Sequence, residues 1–91
     1  VGDAPERILR SRVSIAGPWE RWCEIGEPVE VLRPEHAHEG ADEPCVPSIR
    51  GAVDEPVNQL RDPCLFCDPD DGTCWLFYAV AGESGIAVAH L

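Results

Sequence analysis

The chain has 91 residues, with seven arginines, no lysine and seventeen acidic side chains, for a formal net charge of −10. That length bounds it to one small domain with a modest core. An average field this negative repels polyphosphates, so no nucleic-acid partner is expected. A hydrophobic content of 44% marks a folded chain. No apolar run approaches the length that crosses a bilayer, so no membrane partner is expected either.

The first residues, VGDAPERILR, lack the charged-then-apolar order of a secretion signal. No methionine occurs, not even at position 1. This predicts a processed chain or a piece of a longer one. Localisation stays open, with the cysteines pointing weakly to a reducing compartment.

In chain order, RILRSRVSI (7–15) alternates apolar and polar residues in its second half, as a half-buried strand does. A helix over 5–15 competes with it, because PERILRSR contains good helix formers. Gly17-Pro18 stops either element. WERWCEI follows, with Trp19 and Trp22 three residues apart. EPVEVLRP is the next strand, with Val29 and Val31 on one side, Glu30 on the other and Pro34 at its end. Residues 35–56 are rich in proline, glycine and acids and carry little periodicity, which predicts a long loop.

The signal sharpens after residue 56. VNQLRDPCLFC holds a short apolar run around Leu65 and Phe66. DPDDG is turn chemistry, with Gly72 supplying positive φ. TCWLFYAVA is β-prone and apolar nearly throughout, which predicts a strand buried on both faces. GESG is a second turn, and IAVAHL is a third strand of small residues alternating with Ile86 and Val88. The expected fold is all-β: two strands, a long loop, then a three-stranded antiparallel meander.

Three of the five cysteines lie in this last part. A structural zinc site wants four ligands, commonly as two close pairs. Only Cys64-x-x-Cys67 is a close pair, with Cys45, Cys74, His36 and His38 as distant helpers. A redox pair belongs at a helix N-terminus, whereas Cys67 leads into a hairpin turn. A disulfide framework is possible, but five is an odd number. The favoured reading makes Cys64 and Cys74 small apolar fillers in strands and Cys67 an incidental thiol, with no metal ligands assigned. His36 and His38, beside acids on a loop, are expected in solvent. Trp19 and Trp22 present faces that a sugar ring could stack on, although such residues more often cover the edge of a core. No Ser-His-Asp order, phosphate loop or dinucleotide motif is present, so no cofactor is expected.

One constellation remains. QLRDP starts the strand before the DPDDG turn, and AGES ends the strand after it. In an antiparallel hairpin those two points share one end of the sheet. Arg61, Asp62 and Glu83 are thus expected on one rim, opposite the turn. Two carboxylates and an arginine there suit sugar recognition or acid–base work; the plain alternative is a surface ion pair.

The run RDPCLFCDPDDGTCWLFYAVAGESGIAVAHL resembles the last blade of five-bladed β-propeller glycosidases of the arabinanase, levansucrase and invertase type. It has RDP, LF, DG, WLFY and GIAVA in the order of a blade, and EPVEVLRPE resembles the linker and outer strand of the blade before. The resemblance implies outer strands of a penultimate blade at 1–34, a linker loop at 35–56 and an incomplete final blade at 57–91. It implies a C-terminal fragment of a chain that binds or hydrolyses a glycan, itself inactive. It also implies that Gln59, Arg61, Asp62 and Glu83 face a substrate funnel. The family's catalytic carboxylates come mainly from earlier blades, so no catalytic residue is assigned. A small stand-alone β binding module and a small zinc protein are the alternatives.

Overall fold

In the computed structural model, which describes residues 2–91, the chain is all-β and antiparallel. Strands β1 (Ile8–Ser14) and β2 (Cys23–Leu32) form a two-stranded ribbon. Strands β3 (Arg61–Cys67), β4 (Cys74–Val80) and β5 (Gly85–His90) form a three-stranded sheet in the order β3-β4-β5. The competing helix over 5–15 does not form. Strand β2 is longer than expected, since it starts at Cys23 and not near Glu27. Its periodicity is hidden by Gly26, at φ 72, and by Pro28, which has no N–H for the ladder. The register with β1 jumps there, from Arg10 opposite Val29 to Arg12 opposite Ile25.

The ribbon and the sheet share one core. Ile8 from β1, Leu60, and Leu76, Tyr78 and Val80 from β4 are buried together, with Val31, Leu32, Ala87 and Ala89 packed around them. The alternation of β4 sends Leu76, Tyr78 and Val80 to this inner face. In β5 the residues opposite are Ala89, Ala87 and Gly85, so small residues face inward and Ile86 and Val88 face outward. The small inner residues leave room for the ribbon.

One expectation needs correction. Strand β4 is buried on one face, not two. Its other face carries Trp75 and Phe77, which with Phe66, Ile86 and Val88 form an exposed apolar surface. The second face is apolar in composition but has no covering element among the described residues.

The segment between β2 and β3 is irregular, as expected, but it is firmly tied. Ala37–Glu39 makes a single 3-10 turn capped by Gly40 at φ 91. A Cβ at Gly40 would collide with the carbonyl oxygen of Val57, so only glycine fits. The amide of Ala81 donates to Glu39 O at 3.1 Å, and that of Gly82 donates to Gln59 O at 3.0 Å. The buried Glu39 carboxylate accepts a bond of 3.5 Å from the Tyr78 hydroxyl. His36 and His38 are exposed and stack on each other, as expected of loop histidines.

A second correction concerns the cysteines. Cys67 and Cys74 are joined in a disulfide, with a Cα–Cα distance of 4.1 Å. They are neither filler nor incidental thiol, and Cys64 is free but exposed, not a packed filler; Cys23 and Cys45 are free and exposed as well. The register explains the bond. Asp68 N donates to Thr73 O at 2.7 Å and closes the hairpin, so the next pair outward, Cys67 and Cys74, falls at a close non-hydrogen-bonded position. The turn itself is well bonded. Asp71 accepts from the hydroxyl of Thr73 and then from its amide, which lowers its carboxyl pKa.

Native protein should titrate three thiols and fully reduced protein five, and the Cys67→Ala, Cys74→Ala double variant should lose about 2 kcal/mol in urea unfolding, the size set by its short closed loop. Tyr78 is the one tyrosine of the chain, and burial followed by the charge of Glu39 raises its pKa above 10.0. Its 295 nm titration should lie above that of the urea-unfolded chain. Because the folded pKa is the higher one, the stability that Tyr78 contributes is full below pH ~10 and is lost as pH climbs through the folded value. Tyr78→Phe should remove that alkaline loss.

Candidate functional site

The structure brings Arg61 and Glu83 together at the end of the sheet opposite the Asp68–Gly72 turn, as the hairpin argument requires. Arg61 Nη1 lies 3.4 Å from Glu83 Oε1. The reason is the register: Arg61 pairs with Ala79, close to the point where β4 ends and the Ala81–Ser84 turn begins.

The environment of Arg61 is not that of a rim residue open to solvent. It is 9% exposed. Its Nε donates to Gln59 Oε1 at 2.9 Å, Nη1 to Gly51 O at 2.7 Å and Nη2 to Ile49 O at 3.1 Å. The Glu6 carboxylate stands 3.7 Å from Nη2. The guanidinium fork thus joins the N-terminal segment, the long loop, the start of β3 and the β4–β5 turn. Gln59 is buried with it and is also held by a backbone bridge to Glu6.

Asp62 takes no part in this network. It is exposed and sits at φ 48, in the left-handed region that aspartate tolerates better than most residues. Between Arg61 and Cys64 the pairing with β4 slips by one residue, so Asp62-Pro63 is a bulge. Proline at the next position fits, because it gives up no needed donor there. The bulge leaves Asp62 outside the regular pairing. Glu83 is more than a third exposed at its side chain and engages Arg61 through Oε1. The four expected residues therefore divide in two. Gln59 and Arg61 form a buried support, while Asp62 and Glu83 present carboxylates at the surface.

The sequence reading missed Glu6 and the loop carbonyls as partners of Arg61. Residue type and spacing carry no signal for a contact between positions 6 and 61. It also missed the Cys67–Cys74 bond, for which a signal existed: the two cysteines flank the turn symmetrically. The ligand set that zinc would need does not gather. Among the described residues no three of His, Cys, Asp and Glu are grouped as a metal site, and two of the cysteines are spent on each other.

Known proteins add little about chemistry. No family model matches the chain, and no solved structure matches it. A curated protein that matches is the uncharacterized protein R118 of Acanthamoeba polyphaga mimivirus, 50% identical over 91 residues. The match takes in all of this chain but 25% of that protein, so the chain spans about a quarter of the length of its relative. Among the described residues no helix is long and apolar enough to cross a membrane.

Arg61→Ala should lower stability by about 3 kcal/mol, because it removes the counter-charge of Glu6, whose buried Oε2 has no hydrogen-bond partner of its own, and leaves two loop carbonyls without a donor. Glu83→Gln should cost about 1 kcal/mol or less, since that pair is partly solvated. Urea unfolding of the two variants checks the ranking; equal costs would remove Arg61 from its central place.

Proposed function

We propose that this chain is part of a glycan-binding or glycan-hydrolysing β-propeller of the arabinanase, levansucrase and invertase type. The ribbon belongs to one blade and β3-β4-β5 to the next. The observation that carries this reading is the sheet with two apolar faces. A sheet with one wet side alternates apolar and polar residues. Here the outer face carries Trp75, Phe77, Phe66, Ile86 and Val88, which is the composition of a sheet packed between two others. In a ring of blades each sheet is covered on both sides.

In this reading Asp62 and Glu83 are the residues that meet a sugar, and Arg61 and Gln59 hold them in place. A carboxylate on a bulge, anchored by a buried guanidinium directly before it, is a rigid acceptor for sugar hydroxyls. The bond-breaking carboxylates lie in other blades, so the 91 residues alone are inactive.

The test starts with the coding sequence upstream of Val1. The expected result is an open frame with further Asp-Pro and Asp-Gly strand repeats, whose product releases reducing sugar from an arabinan or fructan. In that longer protein Asp62→Asn should lower kcat/KM about tenfold or more, the size of one hydrogen bond to a charged group, with the unfolding midpoint unchanged. A start codon directly before Val1, with no such repeats, would defeat the reading and favour a stand-alone β binding module.

A further inference from the structure

The turn that joins β1 to β2 carries two tryptophans with no core to cover. Trp19 is 72% exposed and Trp22 51%. The alternative that such residues seal the edge of a core does not apply at this tip. The tip is also closed by hydrogen bonds. Trp19–Arg21 is a 3-10 turn, closed by bonds from Arg21 N to Pro18 O at 2.9 Å and from Trp22 N to Trp19 O at 3.1 Å. The Trp22 ring is tied back across the turn, its Nε1–H donating to Gly17 O at 3.3 Å. Two large aromatic faces are thus presented to water on a hydrogen-bonded turn.

The geometry points to this tip as a second glycan-contact site, one that stacks a neutral sugar ring on Trp19. Aromatic faces bind the C–H face of a sugar while the ring hydroxyls need polar neighbours. Glu20 and Arg21 stand between the tryptophans, and neither enters an ion pair among the described residues. These charged groups can meet the hydroxyls of a polyhydroxylated ligand, beside an end of the ribbon where Val13, Ile15 and Ile25 are exposed as well. The net charge of −10 opposes a polyanion. The tip lies about 23 Å along β1 from the Glu6–Arg61 network, taking seven residues at the rise of an extended strand, so the two surfaces are separate. The inference shares with the proposed function only the class of ligand.

Native gel electrophoresis through soluble arabinan, xylan, levan or mixed-linkage glucan tests it on the 91-residue chain. At least one gel should retard the wild type, and Trp19→Ala should weaken that retardation at least tenfold. Trp22→Phe, which removes the Nε1–H tie, should weaken it less. Unchanged circular dichroism and unfolding midpoint show that the variants are folded. Equal retardation of Trp19→Ala and wild type overturns the site, as does no retardation in any gel. Trp19-dependent binding to phosphatidylcholine vesicles without retardation also overturns it and assigns the tip to a lipid surface. Sugar release by the longer protein without Trp19-dependent retardation sinks this site alone. Retardation without sugar release sinks only the hydrolytic reading.

Discussion

A guanidinium withdrawn from water must find acceptors in fixed places, and Arg61 finds them in three parts of the chain. Ile49 O and Gly51 O come from the long loop, Gln59 from the approach to β3 and Glu83 from the turn after β4, while Glu6 of the N-terminal segment adds a counter-charge at 3.7 Å. Desolvating a cation is costly, and the cost is offset only when the fork is filled in good geometry. The consequence runs outward. The loop has almost no secondary structure, yet its path is set, because two of its carbonyls must meet one side chain.

The β3–β4 hairpin is therefore closed differently at its two ends. At the turn end the Cys67–Cys74 bond and the Asp68–Thr73 ladder bond hold the strands. At the other end a charge network does so, and a bulge follows directly. The covalent end limits what the unfolded chain can explore. The ionic end carries the exposed carboxylates of Asp62 and Glu83. Chemistry that needs a placed carboxylate is better served there, since the bulge frees Asp62 from the ladder while Arg61 fixes the residue before it.

The sheet also has an inside and an outside that differ less in composition than in company. Inward residues of β5 are small, which lets Ile8, Val31 and Leu32 of the ribbon approach. Outward residues are larger and stay open. An apolar surface of this kind on a folded chain marks a place where something else packs. At the far end of the ribbon Val13, Ile15 and Ile25 are exposed too, beside a tip that carries tryptophans among charges.

Much of the fold was legible locally. Alternation gave the strands, Gly17-Pro18, DPDDG and GESG gave the breaks, and hairpin geometry alone puts Arg61 and Glu83 at one end. Those features depend on neighbours in sequence, through backbone sterics and the period of two along a strand. Strand β2 was legible only in part, because a bulge at Gly26 and Pro28 breaks its period. What the tertiary structure alone decided is long-range company. It turned Arg61 from a rim residue into a buried support, left Asp62 outside, paired Cys67 with Cys74, and left one face of β4 open where composition suggested two buried ones. Composition states which surfaces are apolar, but whether a surface is covered depends on where distant segments run, and that is fixed by packing and by the acceptors a buried cation demands.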